Sequence, residues 1–146
     1  MRMQAQLGGY LNRDLSAKSE LSLQDYGVLV TLNEQDQGVL RPFELGRELG
    51  WEKSRLSHHL GRMEARGLVE RRRCQTDQRG QLVAITDRGR RVLEDAAPAH
   101  VAQVRRAFID LLTRDQLNAM TAISEAVLGG LAGTCNEAAG PDISCD

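Results

Sequence analysis

Apolar positions recur along most of the chain at the three-to-four-residue spacing of amphipathic helices, and switch to alternation over one short stretch. Leu7, Tyr10, Leu11 and Leu15 predict a first helix over residues 3–18, which Gly8 and Gly9 weaken by about 1 kcal/mol each relative to alanine. Its apolar side has little to pack on within so short a chain, so a second subunit is its expected partner. Ser22 suits an N-cap and Asp25 the first turn of the next helix, which turns Tyr26, Leu29, Val30 and Leu32 inward. A polar turn from Asn33 to Gly38 ends it. Residues 39–41 are a short extended piece, because the residue before Pro42 is pushed out of helical geometry. Residues 43–49 follow as about two helical turns, stopped by Gly50. From Trp51 to Gly67 (WEKSRLSHHLGRMEARG), Leu56, Leu60 and Met63 share one side of a helix. After Gly67 the period falls to 2. Residues 68–74 and 81–85 are strand candidates on either side of the turn segment 75–80 (QTDQRG). Thr86 and Asp87 cap a long helix from Arg88, which Pro98 is expected to kink or break. That helix resumes through Val101, Val104, Phe108, Leu111 and Leu112. Thr113 and Gln116 have capping-box spacing and open a last helix carrying Leu117, Met120, Ile123, Val127 and Leu128 inward.

The helix at 51–67 organises the rest. Opposite its apolar side stand Ser54, Arg55, His58, Gly61, Arg62 and Ala65, with Ser57 at the flank and no acidic residue. Hydroxyls, imidazoles and guanidinium groups are what meets base edges and phosphates in a DNA groove. Two short helices joined by a tight glycine-containing turn, the second of them basic, form a helix-turn-helix, and a β-hairpin directly after it is a wing. The predicted fold class is therefore mainly α with a small β-hairpin wing. It consists of a winged helix-turn-helix domain plus an N- and C-terminal helical dimerisation lobe. The expected organisation is a dimerisation helix at 1–20, the DNA-binding domain at 21–91, dimerisation helices at 92–131 and a disordered tail at 132–146.

Charge sharpens this picture. The 146 residues carry a formal net charge of -1, which by itself points to no nucleic-acid partner. Residues 51–91, however, hold 11 Lys and Arg against 5 Asp and Glu, and the remainder holds 8 against 15. A basic patch on an otherwise acidic chain is what phosphate binding by counterion release requires. No apolar run is long enough to span a membrane and the N-terminus lacks a signal-peptide stretch, so a cytoplasmic protein is expected. Cys74, Cys135 and Cys145 have no metal-ligand spacing, and His58 and His59, adjacent on a helix, point about 100° apart. No cofactor is expected, because the chain has no glycine-rich cofactor loop and no nucleophile–base constellation. That composition fits no enzyme.

Residues 21–131 resemble the MarR family of bacterial winged-helix transcription regulators. The most specific match is WEKSRLSHHLGRMEARGLVERR followed by TDQRGQLVAITDRGRRVL. The second segment is similar to the family's wing signature, D-x-R-G before a strand that ends in L/I-T. The resemblance implies a homodimer whose terminal helices interdigitate, bound to double-stranded DNA at a pseudo-palindromic operator. It carries over Ser54, Arg55, Ser57, His58 and Arg62 as recognition-helix contacts, and Arg79 as a minor-groove residue oriented by Asp77. It also implies a repressor released by a small, often phenolic effector, with Tyr10, Tyr26, Leu29 and Trp51 as candidate lining. Two positions depart from the family pattern and put local capping in question: Phe43, where a Ser or Thr N-cap is common, and Glu52, where Ser is common. Two alternatives stay open: a winged-helix protein-interaction module, and a redox-responsive regulator acting through Cys74, whose arginine neighbours lower a thiol pKa.

Overall fold

The computed structural model describes residues 2–73 and 81–135. The chain divides into two compact units, Met1–Val104 and Arg105–Asp146. In order, the elements are α1 (Arg2–Lys18), α2 (Leu23–Asn33), β1 (Val39–Leu40), α3 (Pro42–Leu49), α4 (Lys53–Ala65), β2 (Val69–Arg73), β3 (Gln81–Ile85), α5 (Asp87–Ala107) and α6 (Arg114–Cys135). Single 3-10 turns stand at Asp36–Gly38 and Ile109–Leu111. The fold is mainly helical with one small antiparallel sheet, as the periodicity predicts. Among the described residues no helix is long and apolar enough to cross a membrane.

In the first unit, one continuous core joins Val28, Leu29 and Leu32 of α2, Leu45 of α3, Leu56, Leu60 and Met63 of α4, the sheet residues Val69, Val83 and Ile85, and Leu93 of α5. The α1 helix adds Leu15 to this cluster and also buries Leu11. Part of its apolar side, Leu11 and Leu15, therefore finds a partner inside the chain, while Tyr10 stays exposed. Asn12 accepts the Leu23 backbone N–H at 2.8 Å and so ties α1 to the start of α2.

Capping follows the sequence at α2 and departs from it at α3. Ser22 accepts the Asp25 N–H at 3.0 Å while the Asp25 carboxylate accepts the Ser22 N–H at 2.9 Å, a complete capping box. At α3 the N-cap is Arg41 and Pro42 is the first helical residue, so Phe43 is exposed in the first turn and does not occupy the cap. A guanidinium has no acceptor, so only the return half of a capping box forms there, from the Arg41 N–H to Glu44 at 2.9 Å. Glu52, the N-cap of α4, makes no side-chain cap, as its departure from the family pattern implies.

The sheet has the order β1-β3-β2. Val39 and Leu40 pair with Ala84 and Val83, so the short extended piece is a third strand, too brief to announce itself by alternation. β2 pairs with β3 from Val69↔Ile85 to Arg73↔Gln81. Three successive arginines suit β2 because it is an edge strand whose residues 71–73 are exposed. Residues 74–80, including Cys74, Asp77 and Arg79, lie outside the described residues.

Pro98 does not break α5, which is helical from Asp87 to Ala107. The residue stands on the exposed side of the helix, so its ring is not forced against the core, and the helix runs through the one missing N–H donor. The helix stops instead at Phe108 (φ -141, ψ -60), so Phe108, Leu111 and Leu112 do not continue it.

In the second unit the predicted capping box is present. Thr113 Oγ accepts the Gln116 N–H at 3.3 Å and Gln116 Oε1 accepts the Thr113 N–H at 2.9 Å. The apolar row on α6 is exposed, with Ile123, Val127, Leu128 and Leu131 each more than half accessible. The helix continues through Gly129 and Gly130 to Cys135, past residue 132 where the sequence suggested a tail would begin. Val127, Leu128 and Leu131 extend the helical period across the two glycines and explain the difference.

Candidate nucleic-acid interface

Leu56, His59, Leu60 and Met63 pin one side of α4 into the core. That leaves Ser54, Arg55, Ser57, His58 and Arg62 exposed, the five positions the sequence assigns to DNA contact. The turn from α3 is tight: the Trp51 N–H donates to the Gly46 carbonyl at 2.8 Å, and Gly50 takes a left-handed conformation (φ 63). A β-carbon on Gly46 would stand 3.2 Å from the Trp51 carbonyl oxygen, so the two helices approach closely there.

The two arginines of the exposed face are held from beneath. The Arg55 guanidinium lies over the Trp51 ring, 4.4 Å from its centroid. Arg62 donates to Nδ1 of His59 at 2.9 Å and contacts Nδ1 of His58 at 3.2 Å. Trp51 meets the His59 ring edge-on, with centroids 5.1 Å apart. On β2, Arg71 donates to the Ser57 carbonyl at 3.3 Å and pairs with Glu64 at 3.6 Å, which ties the wing strand to α4. A cleft of about 890 Å³ runs along this side, lined by Phe43 and Trp51 with Arg41, Arg47, Lys53 and Arg71.

Behind α4 lies a buried polar cluster that sequence reasoning missed. Asp25 accepts from Arg66 at 2.9 Å, and its other oxygen is 2.9 Å from His59 Nε2, an electrostatic contact rather than a straight hydrogen bond. Arg66 also donates to the Glu20 carbonyl, and the Glu20 carboxylate pairs with Arg88 at 2.7 Å. Burial pushes the Asp25 carboxyl up, but the hydrogen bonds from Arg66 and Ser22 and the Arg66 charge outweigh it and leave the pKa lowered. Burial lowers His59, Asp25 raises it in part, and Arg62 lowers it again, for a net fall. The four-residue spacing of Trp51, Arg55 and His59 could have signalled the stacking on Trp51, but nothing local in the sequence announces the contacts of Asp25 with His59 and Arg66.

The residues proposed for an effector do not all converge. The Tyr10 hydroxyl accepts from Gln103, and the Tyr26 ring stands 4.5 Å from that of His100, so both reach one stretch of α5. Leu29 is in the core and Trp51 belongs to the α3–α4 turn. His100, not singled out from the sequence, is buried, and its Nδ1 has no hydrogen-bond partner among the described residues. Burial lowers its pKa, against a partial upward pull from Asp14.

These shifts have one sign. Two histidines with folded pKa values below the ordinary 6.5 bind fewer protons folded than unfolded, so stability falls as pH drops through that value. The lowered Asp25 adds a further loss below its ordinary 3.8. Urea midpoints should therefore be lower at pH 5.5 than at pH 8, and equal midpoints would refute the assignment.

Known proteins match this fold. A MarR family model matches residues 19–80. The crystal structure of AbsC, a MarR family regulator from Streptomyces coelicolor, superposes with a TM-score of 0.84 at 36% identity, over 90% of this chain and 88% of that one. Sco3205, another MarR family regulator from the same organism, solved in complex with DNA, gives 0.82 at 38% identity over 87% and 79%. The chain belongs to the MarR family. The transcriptional repressor MprA of Escherichia coli is 28% identical over 123 residues, 83% of this chain and 69% of MprA. Membership makes this protein a MarR-family transcriptional regulator with a winged-helix fold.

Proposed function

We propose that the protein is a homodimeric, sequence-specific DNA-binding repressor acting in the cytoplasm, released from a pseudo-palindromic operator by a small aromatic molecule. The observation that carries the reading is the exposed face of α4, where Ser54, Arg55, Ser57, His58 and Arg62 stand together with two guanidinium groups already ordered. In this reading residues 21–91 bind DNA, and helices of the flanking segments 1–20 and 92–131 pair with those of a second copy. The exposed apolar row on α6 supports the pairing. The twofold axis then sets half-sites roughly one helical turn, about 34 Å, apart. Asp77 orients Arg79 toward the minor groove, where narrow A·T-rich segments concentrate negative potential. MprA is a repressor and Sco3205 binds DNA, which supports the same roles here. Tyr10 and Tyr26, beside His100 on α5, are the better-placed half of the effector lining; the aromatic Tyr26–His100 pair suits a planar ring.

A gel-shift titration with the protein's own upstream DNA at two salt concentrations tests the reading. One discrete shifted band with steep salt dependence is expected. No shift at low salt would refute it in favour of a protein-interaction module. Arg79→Ala should weaken binding to every member of the operator family, as loss of a minor-groove arginine does.

A further inference from the structure

His59 faces inward from the reading helix, is nearly inaccessible, and yet touches Arg62, one of the side chains offered to DNA. Its two ring nitrogens meet opposite demands. Nε2 lies 2.9 Å from Asp25 Oδ1, which favours a proton on that nitrogen. Nδ1 lies 2.9 Å from an Arg62 Nη2, which only donates, so Nδ1 must offer its lone pair. Asp25 is itself fixed by the Ser22 capping box and by Arg66 just after the end of α4. A rigid chain thus runs from the start of α2 through an imidazole to a guanidinium on the exposed face.

We propose that His59 is a positioning residue for DNA binding, with Asp25 fixing its tautomer and Nδ1 holding the Arg62 guanidinium in place for the duplex. The inference rests on the reading of Arg62 as a DNA contact. An arginine side chain carries substantial rotamer entropy, and ordering it before the encounter removes that cost from binding. His58, through its own Nδ1, steadies the same guanidinium from the exposed side. The charged and titratable groups facing the His59 ring are Asp25 from α2, with Arg55 and Arg62 from α4; Arg66 and His58 act at one remove, through Asp25 and Arg62. A second proton on His59 would have to occupy Nδ1, point at Arg62 and release it.

Three measurements test this. Nitrogen-15 spectra of the imidazole rings in the wild-type protein at pH 7.5 should show His59 with its proton on Nε2; the opposite tautomer overturns the proposal. His59→Leu should bind the operator about tenfold more weakly, the loss expected for a hydrogen bond to a charged group. His59→Asn, whose side-chain oxygen can stand near the Nδ1 position, should recover most of it. In a double-mutant cycle, His59→Leu added to Arg62→Ala should cost nothing further. Independent, multiplying losses would show that His59 does not act through Arg62, and a tighter complex for His59→Leu would show that it holds Arg62 back; either overturns the proposal. Should Arg62→Ala alone leave affinity unchanged while the wild type binds, the reading of Arg62 as a contact fails first and takes the inference with it. A loss in Arg62→Ala with none in a folded His59→Leu sinks the inference alone.

Discussion

Ile123→Glu combined with Val127→Glu is expected to turn the protein into a monomer and to weaken operator binding by about 10²- to 10⁴-fold. Both side chains are more than half exposed on α6, in a row with Leu128 and Leu131, so the chain's own fold does not depend on burying them. A contiguous apolar row of this kind on an exposed helix is the mark of an association surface. The charges would have to be desolvated, or the two chains separated, for the pair to form. A monomer holds one reader and must find each half-site independently, which forfeits the effective concentration that the second copy supplies. Sedimentation equilibrium reads the first consequence and gel shift the second; thermal melting checks that the monomer is folded. A variant that still sediments as a dimer would place the interface elsewhere.

The second large effect is on stability. Gly89→Ala is expected to destabilise the fold by about 3 kcal/mol, at the upper end of what overpacking usually costs. A β-carbon there would stand 2.2 Å from the Leu68 carbonyl oxygen and 3.0 Å from Ile85 Cγ1. The first neighbour is backbone and fully buried, so it cannot swing aside. The approach is locked from both ends by Thr86, whose single hydroxyl proton is shared between the Gly67 and Leu68 carbonyls at 2.7 and 3.1 Å and whose oxygen accepts the Gly89 N–H at 2.9 Å. Such a loss should lower the melting temperature by roughly 10 °C or more for a domain of this size. An unchanged melting curve would mean that α5 can withdraw from the sheet without penalty.

Element types were legible in the sequence wherever a face is one-sided. The apolar row of α4 and the Ser22–Asp25 box of α2 stand where their spacing puts them, and so does the exposed set from Ser54 to Arg62. Features decided by neighbours distant in sequence were not legible. The pairing of β1 with β3 rests on two residues, and two residues have no period. Pro98 passes through α5 because it happens to face water. The identity of the α3 cap turns on where Pro42 falls in the helix, which moves the N-cap to Arg41 and Phe43 to the first turn. Within the site the exposed face was legible but the supports beneath its side chains were not. Trp51 was read only as a candidate effector contact, and its place under Arg55 was not foreseen. Asp25 was read as a capping carboxylate and also faces His59 and Arg66 across the core.

The position of β2 at the margin of the sheet has a consequence of its own. An unpaired strand margin offers a row of free amides and carbonyls to any other extended chain, a common route to aggregation. Arg71, Arg72 and Arg73 occupy that margin, and a second copy of the strand laid against it would bring like charges together. The same cations that favour a polyanion thereby keep concentrated protein from associating strand to strand.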